Sequence, residues 1–592
     1  MRLIVPFAGG MHALDSRIIR LAEFLGIPCE TLSLSGTVTA ADVAGKHAIH
    51  PDDCLAINAR VIEAWCASNG LAPRDGSAVA TGYSHLLVYG LRVSAFDSAL
   101  VDALSGGRLE SVQAVDGESP YACSKDARTF CGSFAGLTFG RADSANDHVL
   151  ASENGKSGVE SLISIDGRPF VALVKGDRAA TVLLAGEDVA DLDVTIGSTP
   201  LGEYFSRFVP YAMALRYLAG NACWRPVQAH AAVIIDDPLL QTTYGFLNFE
   251  SLRRAAERHN FHASIAFIPH NFRKSSPDVV RLFLENPGRL SICFHGNDHT
   301  QAEFASTDRE LLNLLLRVAT TRMALHRKRT GLQSDPVMVF PQGNFSVEAM
   351  EVLRAHNFHA AVNTIPHPAQ DPASLTLREL AQPAVLRYGG FPLFLRSPVD
   401  TIRTEDIAFN VFFGRPVLIV EHHQDFEHEE RLIALVEQIN STVPEMQWSN
   451  LATVTRQSML RRRAPDGRQE IRAYAGTITI AADADTDRDC SIEWSGCFDS
   501  EMLTGVVAAG RPCKFERTGD SIRVRTEVAP GQSIVLSLVH AASHPSSRTL
   551  DMRWKTKAFV RRRLSEFRDN YLYKHRRTLQ AAREVQHLFS RA

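Results

Sequence analysis

Seven apolar runs separated by helix-like segments occupy residues 228–455 and constrain the fold of this chain most strongly. The runs are "AAVIID", "FHASIAFI", "RLSICFH", "PVMVFP", "HAAVNTI", "FPLFLRS" and "PVLIVEHH". Stretches such as "NFESLRRAAERHN" and "SVEAMEVLRAHN" lie between them, with apolar residues at helical spacing. Continuous apolar strands are covered on both faces, so seven of them alternating with helices predict a closed parallel (β/α)7 barrel.

Three further regions surround the predicted barrel, as a chain of 592 residues would require. Strand and helix patterns alternate in residues 1–205 and predict an open α/β domain. Short strands set between Gly, Asp and Pro turns predict a β-sandwich accessory domain in residues 466–548. Residues 551–592 read as a basic amphipathic helical tail. The predicted fold class is therefore α/β, with a distorted barrel at the centre.

The first of these regions begins with "RLIVPF", "SRIIRLAEFLGI" and "CETLSLS", which read as strand, helix and strand. It resembles the flavodoxin-like or glutamine-amidotransferase-like α/β domains that accompany carbohydrate enzymes. It has no Gly-flanked nucleophilic cysteine and no Gly-x-Gly-x-x-Gly loop after its first strand. We therefore expect a structural or docking role for it.

The tail carries an apolar stripe at helical spacing, formed by Val560, Leu564, Phe567 and Tyr571. Such a stripe most often docks against the rest of the same protein. Peripheral contact with an anionic membrane or with a partner protein is the alternative, because the tail has an excess of basic residues.

The overall composition excludes several classes of function. A formal net charge of −3 gives no global attraction to nucleic acid. The ten cysteines include no Cys-x-x-Cys pair, so we expect reduced, mostly buried thiols. The N-terminal apolar stretch is too short for a signal peptide and no run is long enough to span a membrane, which predicts a cytoplasmic protein.

Polar residues follow four of the predicted strands at the points where they end. Asp236 and Asp237 follow the first strand, His295 the third, Pro341 and Gly343 the fourth, and His422 and His423 the seventh. The carboxyl ends of parallel barrel strands share one mouth, so these side chains should meet there. The arrangement predicts a hydrolytic site.

The segment "HGNDH" offers two imidazoles for a metal ion. His295 and His299 stand at i and i+4, a spacing that puts both on one face of a helical turn. Adding a carboxylate from another strand gives a three-ligand site that keeps a position for water. Zinc is the expected ion, and cobalt, nickel or manganese suit the same donors. The neighbouring carboxylate would act as the general base.

This combination resembles the polysaccharide deacetylases of carbohydrate esterase family 4. The resemblance covers the barrel only and rests on "IIDDP", "HGNDH", part of "VFPQG" and the terminal "EHH". It implies Asp236 as base, Asp237, His295 and His299 as metal ligands, and His422, or His423 in a shifted register, as general acid. By the same resemblance Pro341, Gln342 and Gly343 form the substrate rim, with the N–H of Gln342 at the oxyanion.

Two departures from the family pattern affect the site. Val339 stands where the family has an Arg that supports the catalytic base; without a cation the pKa of Asp236 would rise, unless Arg387 or Arg396 replaces it. Pro238 follows the aspartates where the family usually has Gly, and an X-Pro bond should hold Asp237 in an extended conformation.

The expected function is the metal-dependent hydrolysis of an N-acetyl or O-acetyl group on a sugar or polysaccharide. Two alternatives remain open. One is a catalytically inactive barrel that binds glycan or organises polysaccharide synthesis, which Val339 favours. The other is a glycoside hydrolase on a related barrel. A carbohydrate is the expected partner in each case.

Overall fold

The computed structural model describes residues 2–34, 53–115, 117–141, 146–152, 158–176, 180–196, 201–300, 302–372, 375–481, 489–495, 503–541 and 549–572. The predicted division into domains at residues 1–205, 228–455, 466–548 and 551–592 stays a prediction, and the last 20 residues of the predicted tail lie outside the described part.

The N-terminal region is built on a nine-stranded mixed sheet of order β2-β1-β3-β4-β11-β10-β9-β6-β7. The first five of these strands run parallel and the remaining four pair antiparallel. This confirms the predicted open α/β architecture. The elements are β1 (Leu3–Phe7), α1 (Ala13–Phe24), β2 (Cys29–Ser33), β3 (Cys54–Asn58), α2 (Ala59–Asn69), β4 (His85–Tyr89), α3 (Ala95–Ser105), β5 (Ser111–Ala114), β6 (Tyr121–Cys123), α4 (Arg128–Cys131), β7 (Thr138–Phe139), β8 (His148–Ala151), β9 (Val159–Ile165), β10 (Arg168–Lys175), β11 (Ala180–Leu184), α5 (Phe205–Ala219) and β12 (Arg225–Pro226).

The central region is a closed barrel of seven parallel strands in sequence order, as predicted. Strand β13 pairs with β21 on one side and β16 on the other, which closes the barrel. Its elements are β13 (His230–Asp236), β14 (Thr243–Tyr244), β15 (Leu247–Asn248), α6 (Phe249–Arg258), β16 (Ala263–Phe267), α7 (Pro277–Glu285), β17 (Leu290–His295), α8 (Arg309–Thr330), β18 (Ser334–Val339), α9 (Val347–Ala355), β19 (Ala360–Asn363), α10 (Leu377–Leu380), β20 (Leu393–Pro398), α11 (Thr404–Phe413), β21 (Val417–His422), α12 (Glu429–Thr442), β22 (Gln447–Trp448) and α13 (Leu451–Gln457).

The barrel strands carry one apolar layer on the outside, against the helices, and another in the lumen, because alternate residues of a strand point to opposite faces. On β13, Ala231, Val233 and Ile235 pack outward against the helices, whereas Ala232 and Ile234 fill the lumen. On β13, β17 and β21 the same alternation places the last residue in the lumen at the top of the barrel. This register determines which side chains meet in the mouth.

The third region is a β-sandwich, as predicted. A six-stranded sheet of order β12-β23-β24-β26-β30-β29 and a four-stranded sheet of order β25-β31-β27-β28 share one apolar core around the buried Trp494. The strands are β23 (Met459–Arg463), β24 (Gln469–Ala473), β25 (Thr477–Ala481), β26 (Asp489–Ser495), β27 (Leu503–Ala508), β28 (Arg511–Cys513), β29 (Glu516–Thr518), β30 (Ser521–Glu527) and β31 (Ser533–His540).

The predicted C-terminal helix is present, but it docks through a different face. Helix α14 (Met552–Phe567) continues as a π-helical turn to Leu572, and we call Met552–Leu572 the C-terminal helix. The predicted stripe of Val560, Leu564, Phe567 and Tyr571 is exposed. Buried instead are Ala558, Arg562 and Asp569, so the expectation that the stripe docks on the protein was wrong.

The reason for this orientation is the chemistry of the surface on which the helix lies. That surface is the mouth of the barrel, which presents carboxylates and ring nitrogens, so polar side chains of the helix find partners there. A peripheral membrane contact or a contact with a partner protein, the alternative use of the stripe, has no support among the described residues.

Two expectations from composition can also be compared with the described residues. None of their helices combines the length and the hydrophobicity that crossing a bilayer demands. The nine cysteines that they include form no disulfide, and most are buried.

Candidate active site

The lumen positions at the top of four barrel strands are occupied by Asp236, His295, Arg396 and His422. Each side chain follows the two-residue period of its strand, so the register of β13, β17, β20 and β21 brings them to one mouth. A cavity of about 840 Å³ opens there, and all four residues line it. The structure thus brings together residues that are up to 186 positions apart in sequence.

Asp237, His295 and His299 form the group of side chains that can hold a metal ion. One donor atom from each lies within 4.8 Å of the other two. Ligand atoms about 2.0–2.2 Å from a shared zinc ion stand on the order of 3.5 Å apart, so only small side-chain adjustments are needed. The predicted ligand set is therefore brought together in space.

The orientation of His295 supports this reading. Its Nδ1 lies 3.0 Å from the carbonyl oxygen of Val339. Because a carbonyl can only accept, Nδ1 carries the proton and the lone pair is on Nε2. That Nε2 is buried and has no hydrogen-bond partner among the described residues. A buried Nε2 lone pair that has no hydrogen-bond partner and lies close to Asp237 and His299 is what a metal ligand requires.

Both histidines and Asp237 have the protonation state that a metal requires. Burial lowers the pKa of His295 and lowers that of His299 to about 4, so both rings are neutral at neutral pH. Burial alone would raise the pKa of Asp237, but its interactions with the neighbouring His299 and His423 rings and with the Arg562 guanidinium outweigh burial, so the pKa falls well below its usual value. Neutral imidazoles and a carboxylate are the ligating forms.

The loop that carries the two histidines is not the helical turn that their spacing predicts. Residues 296–300 are irregular, and the chain turns inward because Gly296 and His299 have φ of 62° and 54°. The carboxylate of Glu303 accepts hydrogen bonds from the N–H groups of Asn297, Asp298 and His299 at 2.8–3.1 Å. Buried Glu303 thus serves as the anchor of the loop, which the sequence analysis missed.

Asp237 is also not extended, contrary to the expectation from Pro238. Its φ is 54°, in the left-handed region, and its N–H donates to the carbonyl of Ala266 at 3.2 Å. Gln342, at the end of the fourth strand, has φ of 56°. Left-handed φ in non-glycine residues is uncommon and clusters at functional sites, where the surrounding structure holds it in place. At Asp237 this φ redirects the chain where the strand ends at the mouth.

Asp236 is held by a guanidinium, although Val339 stands at the position of the family's Arg. Arg396 donates from both terminal nitrogens to both carboxylate oxygens of Asp236, at 2.7 Å each, and both side chains are buried. Burial alone would raise the pKa of Asp236, but the charge of Arg396 outweighs it and the pKa falls below its usual value. Arg387, the other candidate, pairs with Glu379 instead.

The two consecutive histidines after β21 occupy different environments. His422 is half exposed, lines the cavity and has Nε2 3.9 Å from Asp236 Oδ2. His423 is buried, with Nε2 3.6 Å from Asp237 Oδ1 and 3.3 Å from Asp569 Oδ2. His422 can therefore contact a substrate in the cavity. His423 is buried and contacts Asp237, the predicted metal ligand.

The predicted substrate rim is partly in place. Gln342 and Gly343 line the cavity. Pro341 is buried, and its ring packs so closely against Gly296 that an added Cβ there would lie 2.5 Å from Pro341 Cγ. Pro341 thus supports the histidine loop, whereas Gln342 and Gly343 can contact a substrate.

Comparisons of sequence find no family model and no curated protein that matches this chain. Solved structures do match. That of Agd3, described as a novel carbohydrate deacetylase, has 10% identity and a TM-score of 0.46, and the match covers 92% of this chain and 99% of that one. A family 4 carbohydrate esterase from Streptomyces lividans in complex with acetate has 11% identity and a TM-score of 0.24, covering 38% of this chain and 93% of the esterase.

The structure of the peptidoglycan deacetylase PdaC from Bacillus subtilis has 12% identity and a TM-score of 0.24. The match covers 39% of this chain and 91% of PdaC. The closed barrel of seven parallel strands, which the resemblance to polysaccharide deacetylases implied, is present in this chain.

Proposed function

We propose that this protein is a metal-dependent deacetylase that hydrolyses an N-acetyl or O-acetyl group on a sugar or polysaccharide. One observation carries the proposal: a three-donor metal group of Asp237, His295 and His299 adjoins a second carboxylate, Asp236, that Arg396 keeps ionised. A strand end with two carboxylates is costly unless both have partners. Here a metal ion would be the partner of Asp237, and Arg396 is that of Asp236.

The residues divide the chemistry between them. Asp237, His295 and His299 would hold a divalent ion, with zinc expected for these donors, and the bound ion would supply Lewis-acid activation of water and of an acyl carbonyl. Asp236 takes a proton from the attacking water, since its carboxylate is ionised at neutral pH. The N–H of Gln342 donates to the oxyanion that develops at the carbonyl.

His422 completes the cycle as general acid. It lines the cavity on the same side as Asp236 and is exposed enough to reach a leaving group. Protonation of the departing amine by His422 breaks the carbon–nitrogen bond, and the products are acetate and a free amino sugar. For an O-acetyl substrate the leaving group is the sugar hydroxyl.

The cavity suits a sugar of modest size. Its volume of about 840 Å³ lies within the range of small-molecule sites. Its walls combine carboxylates, imidazoles and guanidinium groups with apolar side chains such as Ile365 and Val399, which fits a sugar that presents both hydroxyl groups and ring faces. The bidentate pair of Arg396 and Asp236 argues against an inactive barrel, because it supplies the cation whose loss at Val339 favoured that alternative.

The test combines metal content with product analysis. Wild type, Asp237→Ala, Asp236→Asn and the control Asp520→Asn, which alters an exposed turn of the sandwich, are purified in parallel for elemental analysis. Acetate release is then measured on N-acetylated and O-acetylated oligosaccharides. We expect about one ion per chain in all but Asp237→Ala, and acetate from wild type and Asp520→Asn only.

Three outcomes would contradict the proposal. Absence of an ion in wild type after incubation with zinc and cobalt would exclude a metal site. Release of reducing ends without acetate would indicate a glycoside hydrolase. Binding of glycan without turnover in all four proteins would indicate a glycan-binding barrel.

A further inference from the structure

The C-terminal helix lies across the barrel mouth and contacts both loops that carry the metal group. The indole N–H of Trp554 donates to Asp298 Oδ2 at 2.8 Å, one residue before the ligand His299. At the other end, Asn570 Oδ1 accepts a hydrogen bond from the N–H of Gly245 at 3.3 Å. Between these ends, Glu566 forms an ion pair with Lys274. The helix is thus fixed to the barrel along its length.

Asp569 is a buried residue of this helix on the side that faces the barrel mouth. It is 1% exposed, and its Oδ2 accepts a hydrogen bond from the hydroxyl of Tyr244 at 2.7 Å. The same oxygen lies 3.3 Å from His423 Nε2, and that nitrogen lies 3.6 Å from Asp237 Oδ1. The ring of Tyr244 packs against the ring of His423 with centroids 4.7 Å apart.

These contacts bring two carboxylates close to the same nitrogen, Nε2, of the buried His423 imidazole: that of Asp237, the proposed metal ligand, and that of Asp569 on the C-terminal helix. We propose that Asp569 is a positioning residue of the metal site, which holds Asp237 in its ligating orientation through His423. This inference rests on the proposed metal-dependent function. If Asp569 has this role, the C-terminal helix is required for metal binding at the barrel mouth.

Two physical effects act in the same direction. A carboxylate close to an imidazole that contacts a ligand reduces the number of orientations the ligand can adopt. Groups that hydrogen-bond directly to a ligand change metal affinity by about 10–100-fold when lost, and Asp569 acts one contact further out. The negative charge of Asp569 also lies on the metal-binding side of the barrel, in a buried region where charge interactions are weakly screened. Removing the charge should therefore weaken the binding of a cation.

The experiment measures metal affinity rather than activity. Full-length protein stripped of metal is titrated with cobalt(II), and the visible absorption of the bound ion reports the dissociation constant. We expect Asp569→Asn to bind cobalt more weakly than wild type, by up to about 10-fold. Tyr244→Phe, a milder change that releases Asp569, should shift affinity in the same direction by less, and Asp520→Asn should equal wild type.

A second pair of variants tests the route through His423. If Asp569 acts through this imidazole, Asp569→Asn should add no further loss of affinity in a His423→Asn background. Equal affinity of wild type, Asp569→Asn and Tyr244→Phe would overturn the inference, as would fully additive losses in the double variant. Absence of cobalt binding in wild type would instead refute the proposed metal site, so the two failures are distinguishable.

Discussion

Arg396 on the sixth barrel strand donates two hydrogen bonds of 2.7 Å to Asp236 on the first strand, one to each carboxylate oxygen. The two residues are 160 positions apart, and both are buried. Charge-assisted bidentate pairs of this kind fix a carboxylate in position as well as in charge. In this protein the pair determines the protonation state of the proposed base.

Replacing Arg396 should therefore shift the pH dependence of turnover. Without the guanidinium, burial is unopposed and raises the pKa of Asp236, so Arg396→Gln should move the acidic limb of kcat/KM upward by about 1–3 pH units. Arg396→Lys keeps the charge and should move it less. A pH profile of acetate release measures both shifts. An unchanged acidic limb in Arg396→Gln would mean that Asp236 does not act as the base.

Gly296 should be required for the histidine loop. Its φ is 62°, and an added Cβ would collide with the carboxylate of Glu303 and approach Pro341 Cγ to 2.5 Å. We expect Gly296→Ala to lower the free energy of unfolding by about 2–4 kcal/mol and to weaken metal binding. Gly467→Ala is the matched control, because Gly467 also has positive φ but its Cβ would meet nothing within 4 Å. Denaturant titration and cobalt binding compare the two. Equal losses in Gly296→Ala and Gly467→Ala would show that the positive φ alone, and not the contacts with Glu303 and Pro341, accounts for the loss of stability.

His422 should matter only when the leaving group needs a proton. His422→Ala should slow the release of acetate from an N-acetyl sugar by about 100-fold or more, a typical contribution of general acid catalysis. An aryl acetate, whose phenolate leaves without protonation, should be hydrolysed at nearly the wild-type rate. His428→Ala is the control, because His428 also lines the cavity. If both substrates slow equally, His422 positions the substrate and is not the acid.

Stability should fall as the pH is lowered, owing to histidines buried in the barrel. His262 is 1% exposed, with Nδ1 3.1 Å from the carbonyl of Gly288 and Nε2 3.0 Å from Ser291 Oγ, and burial lowers its pKa to about 4. The unfolded chain takes up this proton near pH 6.5, so between about pH 6.5 and 4 the unfolded state binds more protons. The contribution of His262 is thus complete above pH 6.5 and is lost on acidification, up to about 3 kcal/mol.

This dependence can be measured by chemical unfolding of the metal-free protein at pH 7.5, 6 and 5. His262→Gln should flatten the decrease in unfolding free energy relative to wild type, since the amide does not titrate. A slope as steep as that of wild type would assign the pH dependence to other groups.

Much of this protein could be predicted from its sequence. Apolar runs at regular intervals specified seven strands, because a buried parallel strand has few alternatives to a continuous apolar pattern. The two-residue period of those strands then placed Asp236, His295 and His422 in one mouth. Local patterns of this kind depend on residues that are close in the chain, so they can be read without knowledge of the fold.

The details of the site depended on contacts between distant segments. The sequence named Arg387 and Arg396 as possible partners of Asp236, and only the closed barrel selected Arg396. The i, i+4 spacing of His295 and His299 suggested a helical turn, but the carboxylate of Glu303 holds an irregular loop instead.

The C-terminal helix shows most clearly the difference between what the sequence predicts and what the tertiary structure determines. Its apolar stripe was visible in the sequence, and an amphipathic pattern normally predicts which face is buried. The surface that receives the helix is polar, so Asp569 and Arg562 are buried and the stripe is exposed. Periodicity determined that a helix forms, whereas the chemistry of the surface it meets, known only from the tertiary structure, decided which way it faces.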